Sequence, residues 1–235
     1  MRALLLTSLL AACEPGLPSR PLPELVRQAP PAAISAPLLL VPGETLTWNV
    51  HAKGFTIGRA ELAVEEGQVR SRFETGKLVS AFARVRHELV TVVDQGGARS
   101  ASEVLEVDGE TSRTTVEFQG SRYRSGTRVG TVPDGNVGHT LHSVLGVIRG
   151  WASPDARAGF LYVVHDGGVY RIDVGRPFVE DMRGVRTLRV NCRIHGDIAI
   201  NVTLWLSASG AHTPLRFEIG ADDVRLTGEL LETEA

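Results

Sequence analysis

Cysteine is nearly absent from this chain: Cys13 and Cys192 are the only two in 235 residues. A framework of disulfides is therefore excluded as the source of stability. Long apolar runs are also missing. The longest, Ala3 to Leu10, is about half the ~20 residues needed to cross a bilayer. Lysine occurs only at Lys53 and Lys77 among 25 basic residues, an arginine bias that reads as the coding habit of a GC-rich genome. The formal charge of -2 gives no overall electrostatic reason to expect nucleic acid or an anionic bilayer surface as partner. No G-x-S-x-G elbow, P-loop, G-x-G-x-x-G after a strand, H-E-x-x-H or C-x-x-C occurs, which removes the readily recognised enzyme classes.

What is present begins with a targeting pattern. Arg2 supplies a positive start, Ala3 to Leu10 an apolar core, and Leu10-Ala11-Ala12 leads directly to Cys13. This resembles the lipobox of a bacterial lipoprotein. The resemblance implies cleavage after residue 12 and acylation of Cys13, hence a periplasm-facing protein of the cell envelope tethered to the membrane by its N-terminal lipid. Glu14 stands where an aspartate, in enterobacteria, favours inner-membrane retention, so the outer membrane is preferred. With Cys13 lipidated, Cys192 has no partner. Its alternating surroundings, Val190 to Ile194, predict a buried and inert thiol.

Residues 13–42 hold eight of the twelve prolines and predict a semi-rigid tether with a reach of roughly 90 Å at ~3.1 Å per residue. Within it, Leu38-Leu39-Leu40-Val41 is expected to tuck against the domain that follows. From residue 43 to 235 the pattern is that of a single β domain. Leu46, Trp48 and Val50 alternate with Thr45, Thr47, Asn49 and His51, and Ala60, Leu62 and Val64 alternate with Arg59, Glu61 and Glu65. Gly54 and Gly58 are expected to bracket the connection between these two strands. Asp94 to Gly97, Asp108-Gly109 and Asp166-Gly167-Gly168 mark turns. Between His139 and Trp151 the period changes to three and four, with Asn136 or Thr140 as cap and Ser153-Pro154 beyond. This predicts one helix. The expected fold is all-β and mainly antiparallel, one strongly curved sheet or half-barrel of about eleven strands with one short helix packed against it.

Trp48 through Glu65, the closing Leu204-Trp205-Leu206-Ser207, Pro214-Leu215-Arg216-Phe217 and Gly228-Glu229-Leu230, and the helix before Arg149 resemble domain-of-unknown-function family 3108, a set of bacterial exported proteins. The resemblance spans roughly residues 44 to 231. It implies a curved antiparallel sheet in an envelope protein and no established catalytic residues. The chain departs from the pattern at Ala208 to His212, where a charged turn is usual.

Two functional readings follow. In the first the protein is a non-catalytic binding or interaction module. About eleven strands present more inner face than one helix covers, leaving an apolar concavity for a lipid or other apolar ligand, or an envelope protein partner. Trp48, Leu62, Val202, Leu204, Trp205 and Phe217 are its candidate lining, the competing reading being that they are simply core. The alternative is an envelope hydrolase or metal-dependent enzyme built on His139, His142 and Asp134, since residues three apart on a helix share a face and imidazole is a common zinc ligand. Glu180 and Asp181, adjacent on an extended loop, point apart and make a poor acid–base pair. No cofactor is expected. The lipid anchor is directly testable: labelled fatty acid enters the full chain and is lost from Cys13→Ala, which leaves the membrane fraction. Unchanged fractionation of that variant contradicts the anchor.

Overall fold

The computed structural model describes residues 31–77, 79–94, 97–221 and 224–231. The signal-like segment, Cys13 and the tether as far as Pro30 lie outside the described residues. After a two-residue strand, β1 (Ala32–Ala33), the chain runs as a meander through β2 (Thr45–Ala52), β3 (Phe55–Glu65), β4 (Gln68–Thr75), β5 (Val85–Asp94), β6 (Gly97–Val107), β7 (Glu110–Gln119), β8 (Arg122–Ser125) and β9 (Arg128–Thr131). The period-two pattern is obeyed where it was strongest: β2 buries Leu46, Trp48 and Val50 and leaves the intervening residues partly or fully exposed.

A short strand, β10 (Gly138–His139), leads into the helix α1 (Leu141–Trp151). Thr140 caps it in a capping box with Ser143, each side chain accepting from the other's backbone N–H. The chain then completes the sheet with β11 (Gly159–His165), β12 (Gly168–Val174), β13 (Phe178–Met182), β14 (Val185–Ile194), β15 (Ile200–Ser207), β16 (Pro214–Ala221) and β17 (Val224–Leu230).

All these strands belong to one 17-stranded sheet. It starts mid-chain at β11, runs to the C-terminal β17, crosses to β2 and continues to β9. β1 and β10 add parallel pairings on β11, so the sheet is mixed, and among the described residues no hydrogen-bonded ladder closes β9 onto it. The two ends nevertheless meet through side chains. Leu89, Ala101, Val116 and Tyr123 from one end pack with Val164 from the other, and the Tyr123 hydroxyl donates to the Gly167 carbonyl at 3.2 Å.

The curved all-β sheet, with a single α-helix among the described residues, matches the expectation, with more strands than expected. The excess has local causes. The stretch 122–131 is folded over a turn into two short strands, β8 and β9. Glu180 and Asp181, expected on a loop, lie in β13, and β1 and β10 are too short to leave a periodic signal. The connection from β2 to β3 is the two-residue turn Lys53-Gly54, and Phe55 already pairs with Ala52.

Helix α1 lies against the inner face of the sheet. Val144, Val147 and Ile148 pack on Leu161, Ile172, Leu188, Val190 and Leu206, while Leu145 packs with Trp48, Leu62 and Phe217. Its other side is covered by the segment before β2. Ile34, Ala36 and Leu38 join the first of these clusters, and Leu39 N–H donates to the Gly146 carbonyl at 3.0 Å. A Cβ on Gly150 would sit 2.1 Å from the Pro37 carbonyl oxygen, so glycine is required for this approach. Residues 31–42, expected as the end of the tether, belong to the same compact unit as the sheet. Leu38 and Leu40 do tuck against the domain as expected.

One buried ion pair holds this arrangement in register. Arg149, fully buried in α1, donates Nη1 to Glu44 Oε2 at 2.6 Å and Nη2 to Oε1 at 2.9 Å, and its Nε donates to the Ala211 carbonyl at 3.0 Å. His212 Nδ1 in turn donates to the Arg149 carbonyl at 2.7 Å. Removing one partner strands a buried charge, which costs about 3–5 kcal/mol. Glu44→Gln is therefore expected to lower the unfolding free energy by about that amount in urea titrations, while Glu218→Gln, at a partly exposed pair with Arg216, changes it by less than ~1 kcal/mol.

Candidate functional site

The groove is built where α1 leaves part of the sheet uncovered. Leu141 and Leu145, four residues apart, share the helix face opposite Trp48, Leu62 and Phe217, and they are less buried than the rest of the helix interior. Across the sheet, Trp48, Ala60, Phe73 and His87 form one cross-strand row. The groove is open to solvent and has a volume of about 240 Å³, apolar on its sheet side through Leu62, Leu89, Leu204 and Phe217. Its edge carries Ser71, Arg72, His87 and His142. The aromatic wall is fixed: Trp48 Nε1 donates to the Pro214 carbonyl at 3.1 Å, and its ring meets Phe217 edge-on at 5.9 Å between centroids.

Four of the six candidate lining residues, Trp48, Leu62, Leu204 and Phe217, come together here. Val202 does not; it packs against the cluster under α1. Trp205 is on the opposite face, because it alternates with the inward Leu204 and Leu206. There its Nε1 donates to Glu180 Oε1 at 2.5 Å and the Arg216 guanidinium stacks over its ring at 4.9 Å. Glu180 also pairs with Arg189 at 3.1 Å, so this carboxylate belongs to an outer-face ion network and Asp181 lies beside it, exposed.

The histidine candidates are not brought together. His142 sits at the groove, with Nδ1 2.9 Å from Thr91 Oγ1 and Nε2 2.8 Å from Ser71 Oγ. The Thr91 hydroxyl donates onward to Thr140 at 3.2 Å, so Nδ1–H donates to Thr91 and Nε2 accepts from Ser71. Both nitrogens are thus occupied. His139 lines a separate space of about 400 Å³ beside Ile34, Leu38, Phe160 and Tyr162, and Asp134 is exposed in the turn Pro133–Gly135. Among the described residues no group of three or more histidine, cysteine, aspartate or glutamate side chains is arranged to hold a metal ion.

Burial lowers the pKa of His142 to about 4, with the charge of His87 adding to the shift, and burial lowers His139 to about 4 as well. Ser71 and His142 have the hydrogen-bond geometry of a nucleophile and base. The third position is a threonine hydroxyl in place of a carboxylate, and an imidazole held at about 4 is a weak base at neutral pH. Beside the apolar wall the slot presents the hydrogen-bonding groups Ser71, His87 and His142 and the charged side chains Glu61 and Arg72. Ser71, Thr91 and Phe73 had no sequence signal of their own and are placed by the sheet register, while Leu145 belongs to the apolar stripe of the predicted helix and is placed by the helix face. Cys192 is buried as expected, its thiol pushed up to about 12 by burial.

At the seam between the sheet's ends, Glu103 Oε1 accepts from His87 Nε2 at 2.6 Å and Oε2 lies 3.3 Å from His165 Nδ1. The His87 hydrogen bond holds the Glu103 carboxyl below its ordinary value, against the opposing effect of burial.

A sheet curved round one helix, with its ends joined by side chains alone, defines a barrel-like all-β protein carrying an internal groove. Among solved structures, the fold is similar to the crystal structure of a β-barrel-like protein of domain of unknown function DUF1849 from Brucella abortus. It is similar with a TM-score of 0.54 and 13% sequence identity, over 85% of this chain and 98% of that one. At that identity the likeness concerns the fold. No protein-family model and no curated protein matches the chain.

The histidine shifts set a pH dependence. His142 is neutral in the folded state and protonates near its ordinary value of 6.5 when unfolded, so the unfolded chain binds more protons between pH 6.5 and about 4. Stability is fully present above pH 6.5 and falls on acidification, by about 1.4 kcal/mol per pH unit from this residue. Urea midpoints of His142→Gln should fall less steeply over this range than those of the parent. Identical slopes would contradict the assignment.

Proposed function

We propose that the protein is a lipid-anchored, non-catalytic binding module of the cell envelope that holds a lipid or another apolar molecule beside α1. One observation carries the reading: beside the contact of Leu145 with Trp48, Leu62 and Phe217, these residues and Leu141 line a space that the protein does not fill. Its volume of about 240 Å³ exceeds the ~150 Å³ of an engineered apolar cavity that takes up benzene. It falls just below the ~300 Å³ lower end of drug-sized sites. A single acyl chain or a small ring system suits that size, with a polar end directed to Arg72, His87 or Ser71. The lipobox at Cys13 and the resemblance to exported family 3108 support the envelope placement, with the outer membrane favoured.

Native mass spectrometry of the full lipoprotein, extracted gently from membranes, is expected to show an apolar molecule that co-purifies. Leu145→Trp fills the slot from a half-buried position and should reduce that adduct roughly tenfold. A parent protein free of adduct that also takes up no added fatty acid would overturn the proposal.

A further inference from the structure

Two neighbouring loops at one end of the sheet hold phenylalanines out in water. Phe82 is 91% exposed and Phe55 76% exposed, the two highest values among the described large hydrophobic residues. Neither loop is slack. Lys53 and Gly54 both have positive φ, +48° and +82°, which gives the hairpin turn matched to strand twist, and Thr56 Oγ1 lies 3.1 Å from His51 Nδ1. In the 76–84 loop, Ser80 N–H donates to Gly76, and Phe82 N–H and Ala83 N–H both donate to Val79. The Val85 N–H closes the loop on Thr75 Oγ1 at 3.1 Å, and Arg84 N–H donates to Asp108 at 2.7 Å. The two loops are tied together by Gly76 N–H donating to the Ile57 carbonyl at 2.8 Å. Local structure that spends its hydrogen bonds on holding two aromatic rings in solvent marks a contact surface.

Charge identifies the partner. Lys53 and Lys77, the chain's only lysines, flank the two phenylalanines, and Arg59, Arg84 and Arg86 lie close by in sequence. Residues 51–60 and 75–87 contain no aspartate or glutamate. The neighbouring carboxylates are Glu74, in register between Arg59 and Arg86, Glu106, opposite Arg86, Asp108, bound to the Arg84 N–H, and Glu229, which lines a common recess with Lys53; the cations Lys53, Lys77, Arg59, Arg84 and Arg86 outnumber them. In a chain of formal charge -2 this is a local reversal of sign, combined with protruding aromatic side chains. We infer that these loops are a docking surface for a bilayer carrying anionic phospholipid: Phe55 and Phe82 enter the acyl boundary while Lys53 and Lys77 meet the headgroup phosphates. The surface goes beyond the groove and contributes no residue to it.

The test uses the full chain carrying Cys13→Ala, so that no acyl anchor contributes, floated with vesicles of equal parts phosphatidylcholine and phosphatidylglycerol. The N-terminal segment is common to every variant and cancels in the comparison. Phe55→Ala and Phe82→Ala should each lower the bound fraction's partition coefficient roughly tenfold or more. Lys53→Glu with Lys77→Glu should abolish the preference over pure phosphatidylcholine vesicles. Unchanged partition of the double phenylalanine variant overturns the inference, as does equal binding to both vesicle types. It is also overturned if the phenylalanine changes alter only the oligomeric state, which would assign the patch to a second copy of the chain. Leu145→Trp should leave vesicle binding intact and the phenylalanine variants should retain the groove ligand, so failure of one reading is visible separately from failure of the other.

Discussion

The bidentate contact between Arg149 and Glu44 is the point from which the arrangement of this protein follows. It joins the end of α1 to the residue just before β2 and, through Ala211 and His212, to the loop between β15 and β16. Those elements flank the junction of β17 with β2, where the two halves of the chain become one sheet. A guanidinium this deeply buried is tolerated only with its fork fully satisfied. The helix therefore has one axial position and one rotation about its axis relative to the sheet.

That rotation decides what stays open. With Arg149 locked, Val144, Val147 and Ile148 meet the strands after α1 and His142 reaches Ser71 and Thr91 on the strands before it. Leu141 and Leu145 are left over the gap. The segment before β2 covers the helix on its far side, against Gly146 and Gly150, and does not reach this gap. The groove is thus a geometric remainder of a sheet wider than its covering. Its apolar wall is held by the Trp48 hydrogen bond and the Phe217 edge contact, which keep the space from collapsing.

Much of this was legible in the sequence. Period-two alternation in residues 45–65 and the three-four stripe after His139 give the strand and helix types correctly, and a sheet too large for its helix implies a concavity. The pairing of β17 with β2 and the side-chain seam between β8 and β11 are contacts between distant residues, which no local pattern records. Trp205 shows how fine the margin is: alternation put it one residue from Leu204 and so on the opposite face, and only the register reveals which of the two looks inward. Arg149 had no signal as a structural centre, since Glu44 precedes it by more than a hundred positions. His139 and His142 share helical spacing on paper. In the structure the first lies in the short strand before the cap, so the spacing argument does not apply to it.

The central claim, that the space beside α1 receives an apolar molecule, is tested most directly by photo-crosslinking the full chain with a diazirine-bearing fatty acid and mapping the adducts by peptide mass spectrometry. Occupation of the groove predicts adducts on Leu141, Leu145, Trp48 or Phe217 that are competed away by unlabelled fatty acid. Adducts confined to Trp205 and the outer face, or none that compete, would contradict it.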